Sequence, residues 1–243
     1  MINSNRLVYD LPVRLFHWSF STAFAAAFLL AKTLDDENPL FPYHMLLGLL
    51  MSSMVILRII WGFVGPKHAR FSEMPLRPME LINYFKGIIS GSKKKWSGHN
   101  PASSWAMVLM IVLTLGLGIS GLQQVTGGAE IFEEIHELLA HGLLAVVLMH
   151  IAGIGLHLFR HRDRIFLSML NGKKMDVSEV ESIPSARPLT ALVFLLLIST
   201  LTFALVKNYD SEKKTLNLLG KTLTLGEEEL EEMEKEFREN ENH

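Results

Sequence analysis

The chain has 243 residues, 49% of them hydrophobic and 20% charged, with a formal net charge of −2 and a mean hydropathy of +0.26. It has no cysteine, which excludes structural disulfides, thiolate metal sites and the Cys-x-x-Cys-His attachment of a covalent haem. The apolar residues are bunched into runs approaching the ~20 residues that cross a ~30 Å hydrocarbon layer, so an all-α integral membrane protein is expected.

The segment before the first run, MINSNRLVYDLPVR, has no small-residue cleavage site after a short apolar core, and the first span is therefore expected to be retained as an anchor. Span 1 is Leu11–Ala31, followed by the polar link KTLDDENPLFP, and span 2 is Tyr43–Val64. The basic segment 65–103 breaks the apolar pattern with four prolines and the run Lys93-Lys94-Lys95. Span 3, Ser104–Leu122, carries LTLGLGISG, whose glycines permit the close backbone approach common between membrane helices. Span 4 is Ile131–His161. A second basic linker, 160–187, leads to span 5, Pro188–Val206, which has no ionisable residue.

Lysine and arginine mark the inner loops. Seven lie in 65–103 and six in 160–187, whereas the alternate loops carry Asp35, Asp36 and Glu37, and Glu130, Glu133 and Glu134. The N-terminus is thus expected inside and the tail from Lys207 outside. From Glu227 onward nine acidic residues face two basic ones, a formal −7 that leaves +5 for the rest of the chain. Thr224 and Glu227 have capping-box spacing, and Leu230, Met233 and Phe237 then form a thin apolar stripe. That segment reads either as a solvated tail or as a docking helix for an external partner.

Span 4 holds five histidines: His136, His141, His150, His157 and His161. An imidazole inside a membrane is costly without a partner and is a functional candidate by default. The fourteen-residue step from His136 to His150 turns the helix by about 1400°, roughly 40° short of four turns, over ~21 Å of axis. Both rings leave one side of the helix with room for two flat cofactors. Pairing by depth sets His44 of span 2 with His136 near the outer face, and His17 of span 1 with His150 near the inner face. Two axial imidazoles per iron describe a low-spin b-type haem for electron transfer, with no open coordination site. His157 lies about 20° off the His150 stripe and competes with it for the inner position. His141 points some 140° from His136 and reads as a packing or interface residue, and His68, His99 and His161 lie in basic, wet segments. Gly48, one turn after His44, would leave room for a porphyrin plane. Arg58, inside span 2, and Arg14, close to His17, are candidates to pair a haem propionate; snorkelling to headgroups is the alternative for each. The four tryptophans suit an interfacial belt.

The stretches RLVYDLPVRLFHW, RIIWGFVGPKHARF and GHNP, with the HE…A…LMHIAG pattern of span 4, resemble the bacterial cytochrome b561 family, which is similar to the di-haem cytochrome b subunits of nickel–iron hydrogenases. The resemblance covers about residues 6–175. It implies a four-helix di-haem core that exchanges electrons with quinone, with ligands at His17, His44, His136 and His150, and it decides against His157. It leaves unexplained a fifth transmembrane helix and an acidic C-terminal helical tail. The expected organisation is a cytochrome b domain over 1–175, a linker and fifth helix over 176–206, and an extracytoplasmic tail over 207–243.

The expected function is therefore a multi-pass bacterial inner-membrane cytochrome with two non-covalent b-type haems. It would pass electrons between quinone or quinol and an external c-type cytochrome or periplasmic oxidoreductase, as one subunit of a larger complex in contact with membrane lipid and no nucleic acid. Quinone chemistry needs a protonatable group, for which His157, Asp163 and Glu80 are candidates. A transporter or assembly anchor using histidines is the rival, although the span interiors lack the acidic residues a transporter favours. A superoxide- or ascorbate-linked reductase would differ only in its donor.

Overall fold

The computed structural model describes residues 5–35, 37–92, 94–218 and 220–225. Five of its helices are long and apolar enough to cross a membrane: α1 (Leu11–Thr33), α2 (Pro42–Val64), α4 (Pro101–Gln124), α5 (Ile131–His161) and α7 (Pro188–Asn208). Each matches an expected span, and α5 has the expected bounds. Between α2 and α4 lies a shorter helix, α3 (Pro78–Ile89), and one turn of helix, α6 (Ser168–Asn171), follows α5. Proline opens α2, α3, α4 and α7. It is tolerated there because the first helical N–H has no partner to lose.

The chain divides into two compact units. The first comprises Met1–Trp18, Val55–Leu113 and His141–Phe194. Here the N-terminal segment is clasped on both sides. β1 (Arg6–Leu7) pairs antiparallel with β2 (Lys173–Lys174), placing Arg6 opposite Lys174. Gly172, at φ 77° after α6, turns its carbonyl to accept from the Val8 and Tyr9 N–H groups at 2.8 and 3.0 Å. On the other side Ile183 N–H donates to Leu7 O and Leu11 N–H to Ala186 O, both at 2.9 Å. Val8, Tyr9, Val13, Trp61, Ala69, Val177 and Phe194 form the apolar core beneath.

Asp10 caps α1, its Oδ1 accepting from Val13 N–H at 3.1 Å, with Pro12 in the first turn. It is 1% exposed, and its Oδ2 accepts from Trp61 Nε1–H at 3.1 Å. Trp61 is thus a core residue bonded to a buried carboxylate, which corrects its assignment to an interfacial belt. Lys174 lies over the Tyr9 ring at 5.3 Å and donates to Gly98 O at 2.6 Å. Burial lowers its pKa to about 8. Because this base is less basic folded than unfolded, the unfolded chain binds more protons from about pH 8 up to its ordinary 10.5, and stability rises with pH across that window. Tyr9, pushed up from 10.0 by burial, opposes this only above that value. The thermal midpoint should climb from pH 8 toward pH 10, and Lys174→Met should flatten the climb.

The second unit comprises Ser19–Met54, Thr114–Ala140 and Leu195–His243. Its α4 glycines admit close neighbours as expected. A Cβ on Gly118 would strike Ser52 Oγ of α2, and Cβ atoms on Gly116 and Gly121 would approach Leu139 Cδ1 and His136 Cε1 of α5 to 2.8 and 3.3 Å. Gly118→Leu should cost about 1–3 kcal/mol by overpacking, read as a lower thermal midpoint in detergent.

Part of the segment expected to be an acidic tail is a sheet in which β3 (Tyr209–Asp210), β4 (Thr215–Leu218) and β5 (Lys221–Thr224) pair antiparallel in that order. Leu218 faces Lys221, and Gly220 just before Lys221 has a φ of 80°, which suits glycine. Leu216, Leu223 and Leu225 pack with Leu46, Val125 and Leu205. Full burial of a side chain such as Leu216 contributes about 1.5–3 kcal/mol, so this stretch is core-bound. The helix expected to start at Thr224, with Glu227, Leu230, Met233 and Phe237, lies outside the described residues apart from Thr224 itself, which ends β5.

Candidate functional site

Two histidines meet in the second unit. His44 sits in the first turn of α2, and its Nδ1 lies 2.9 Å from Ala27 O. A carbonyl only accepts, so Nδ1 carries the proton and Nε2 keeps a free lone pair. His136, on α5, has its Nδ1 3.0 Å from Ser120 Oγ, while the Ser120 hydroxyl donates to Leu117 O at 3.2 Å. With its hydrogen engaged there, the Ser120 oxygen accepts from His136 Nδ1–H, and again Nε2 is left free. The ring centroids stand 6.3 Å apart at an interplanar angle of 71°. Two metal–imidazole bonds of ~2 Å, each with roughly 1 Å more to the ring centre, come to about 6 Å. The pair therefore has the centroid spacing, and a free Nε2 on each ring, that one shared metal would need.

In the first unit His17 and His150 lie within electrostatic reach of each other. The His17 ring stands edge-on to Trp18 at 5.2 Å, and its buried Nδ1 has no hydrogen-bond partner. Arg58 is 2% exposed, which rules out snorkelling. Its Nη2 donates to Ala69 O at 3.2 Å and toward Met107 Sδ at 3.3 Å, and its guanidinium lies 5.4 Å above the Phe71 ring. Its Nη1 is buried without a partner, as is Nε of Arg14. These orphaned cationic donors in the unit that holds His17 and His150 fit an anionic group such as a haem propionate. Gly48 has nothing within 4 Å of where its Cβ would stand.

Among the described residues, no three His, Asp or Glu side chains converge as a metal site. A porphyrin iron brings its remaining ligands with it and needs only such a pair from the protein.

His157 is engaged elsewhere. Its Nε2 is 3.1 Å from Asp163 Oδ2, and its ring stacks on His161 at 4.3 Å. The candidates His157 and Asp163 thus form one pair, and Glu80 is in the first turn of α3. His141 is exposed on α5. The expectation of wet surroundings fails for His68 and His99. His68 is 7% exposed, with Nε2 2.6 Å from Glu181 O. His99 packs edge-on against Tyr9 at 5.3 Å, and burial, aided by the nearby Lys174 and Arg58 charges, lowers its pKa to about 3.

Two residues that the sequence reading passed over belong to this description. Asp10 had a visible signal, since Asp followed by Pro two residues on, before an apolar run, is a helix-start pattern. Ser120 had none, because its role rests on a ring sixteen residues away.

A family model for prokaryotic cytochrome b561 matches residues 8–172. A probable Ni/Fe-hydrogenase B-type cytochrome subunit of Rhizobium leguminosarum bv. viciae is 29% identical over 145 residues, 50% of this chain and 60% of its own. The protein of the same description from Rhodobacter capsulatus is 26% identical over 189 residues, 60% of this chain and 71% of its own. That from Bradyrhizobium diazoefficiens is 24% identical over 211 residues, 69% and 85%. The chain thus spans less than two thirds of the first of these relatives. No solved structure gives a significant match.

Proposed function

The chain belongs to the prokaryotic cytochrome b561 family and is a multi-pass membrane b-type cytochrome of electron transfer; on that premise we propose that it binds two haems and links quinone to an external redox partner. His44 and His136 hold one haem, and His17 and His150 the other. The observation that carries this reading is the His44–His136 pair, 6.3 Å between centroids with both Nδ1 atoms engaged. Each haem, when bound, supplies one-electron iron chemistry.

The chain's own residues do the rest. Ala27 O and Ser120 fix the tautomer and aim of the outer ligands, as partners of a ligating histidine commonly do. Arg58 and Arg14 offer unpaired N–H groups to the propionates of the inner haem. The His157–Asp163 pair offers a proton on the same side. The N-terminus lies in the cytoplasm and the tail from Lys207 in the periplasm of a bacterial inner membrane. The partner is a redox enzyme of the kind named for the relatives, or a c-type cytochrome.

A reduced-minus-oxidised spectrum of the purified chain, with haem assayed per polypeptide, tests the reading. A b-type α-band and two haems per chain are expected, together with oxidation or reduction by a quinone analogue; absence of haem would end the proposal. Ser120→Ala should keep the outer haem and raise its midpoint potential. An imidazole that loses its hydrogen-bond acceptor is a weaker donor to ferric iron.

A further inference from the structure

The basic segment between α2 and α4 contains α3, whose 12 residues at ~1.5 Å each make a rod of ~18 Å, too short for a ~30 Å hydrocarbon layer. It joins consecutive spans, so both of its connections open on one membrane face. Pro78 starts it, and Glu80 in its first turn suits the positive end of the helix dipole. Its far end is fixed to α5: Arg160 Nη1 donates to Ile88 O at 2.8 Å and Nη2 to Ser92 O at 2.7 Å.

Leu81, Tyr84 and Ile88 lie on the partly covered side of α3. The other side leaves Met79 62%, Ile82 46%, Phe85 50% and Ile89 88% exposed, and no residue of the helix is fully buried. Placed at 100° per residue, these four span about 120° of the helix surface. A stripe of that width on a short helix is the mark of an amphipathic element that lies in a bilayer interface. Lys86 rises from the same side and Arg77 precedes the helix, both exposed. A lysine there can keep its stem among acyl chains and its ammonium among phosphates.

We propose that α3 lies flat at the headgroup–acyl boundary of the leaflet on that face, with Ile82, Phe85 and Ile89 in the acyl region and Lys86 and Arg77 toward lipid phosphates. The occupant of this face is lipid. The apolar stripe continues the chemistry of the preceding span, whose last residues Phe63 and Val64 are themselves 71% and 66% exposed. Through Arg160, the helix that carries His136 and His150 is then tied to a surface anchor as well as to its own span.

The absence of cysteine allows a direct test on the full chain in nanodiscs of phosphatidylcholine and phosphatidylglycerol. An environment-sensitive fluorophore is placed at Ile82→Cys, at Ile89→Cys and, as a water-facing control, at Glu179→Cys, whose side chain is 83% exposed. The probes on α3 should emit to the blue of the control and be quenched several-fold more by brominated lipid than by aqueous iodide, with the order reversed at position 179. Quenching by iodide at positions 82 and 89 would overturn the proposal. So would protection from both quenchers, which would mean that a protein surface covers the stripe. Phe85→Cys reads the same face if either variant fails to accumulate. Haem plays no part in this measurement, so its outcome is independent of the electron-transfer reading.

Discussion

His136→Ala should take the purified protein from two haems per chain to one, and His150→Ala should remove the other, so that the double variant is colourless. The effect is all-or-none because a low-spin b haem depends on both axial imidazoles. His157→Ala is the control that gives the test its edge. Its Nε2 is held by Asp163 at 3.1 Å, so both haems should remain and the spectrum should keep its shape. The readout is haem per polypeptide by the pyridine haemochrome assay, with exogenous imidazole restoring part of the lost band in His136→Ala. A colourless His157→Ala, or a fully coloured His136→Ala, would overturn the ligand set.

Gly48→Leu should abolish binding of the outer haem without destabilising the polypeptide. A Cβ at Gly48 meets no atom within 4 Å outside its own stretch of helix, so the helix tolerates a side chain starting there. Replacing a helical glycine with leucine should also favour the helix by something under ~1 kcal/mol. The same side chain, one turn from His44, would occupy the space assigned to the porphyrin. Gly48→Ala should be milder, with partial occupancy. Loss of haem together with a lower thermal midpoint of apoprotein would point to a folding role instead. Full retention of both haems would place Gly48 against lipid.

The parts of the fold that were legible in the sequence are those decided by local composition. The five spans follow from apolar runs, and the stretch read as span 4, Ile131–His161, has the bounds of α5. The glycine contacts of α4 were anticipated because small residues have few other uses within a span. What escaped depends on partners remote in sequence. β1 and β2 are two residues each, and neither is recognisable without the other, whose paired residues lie 166 and 168 positions away. The sheet after α7 was hidden by the acidity of the tail that follows. α3 was overlooked because its period lies inside a segment whose lysines and prolines dominate its composition. Trp61, His68 and His99 were misplaced for a common reason. Residue type predicts a preference for interfaces or water, but tertiary partners override it: Asp10 bonds Trp61, the Glu181 carbonyl bonds His68, and the Tyr9 ring packs on His99. At the candidate site, residue types and depth suggested the histidine pairs. The hydrogen bonds that leave Nε2 free on His44 and His136 came only from tertiary structure.

Residues 6–11 are bonded to Gly172, Lys173, Lys174, Ile183 and Ala186. During synthesis four hydrophobic helices and the linker after them must therefore be made before residues 6–11 find their partners. This early segment is among the last pieces to settle. Nascent chains arrested before residue 186 should leave that end open to protease, and protection should appear only once the linker has left the ribosome.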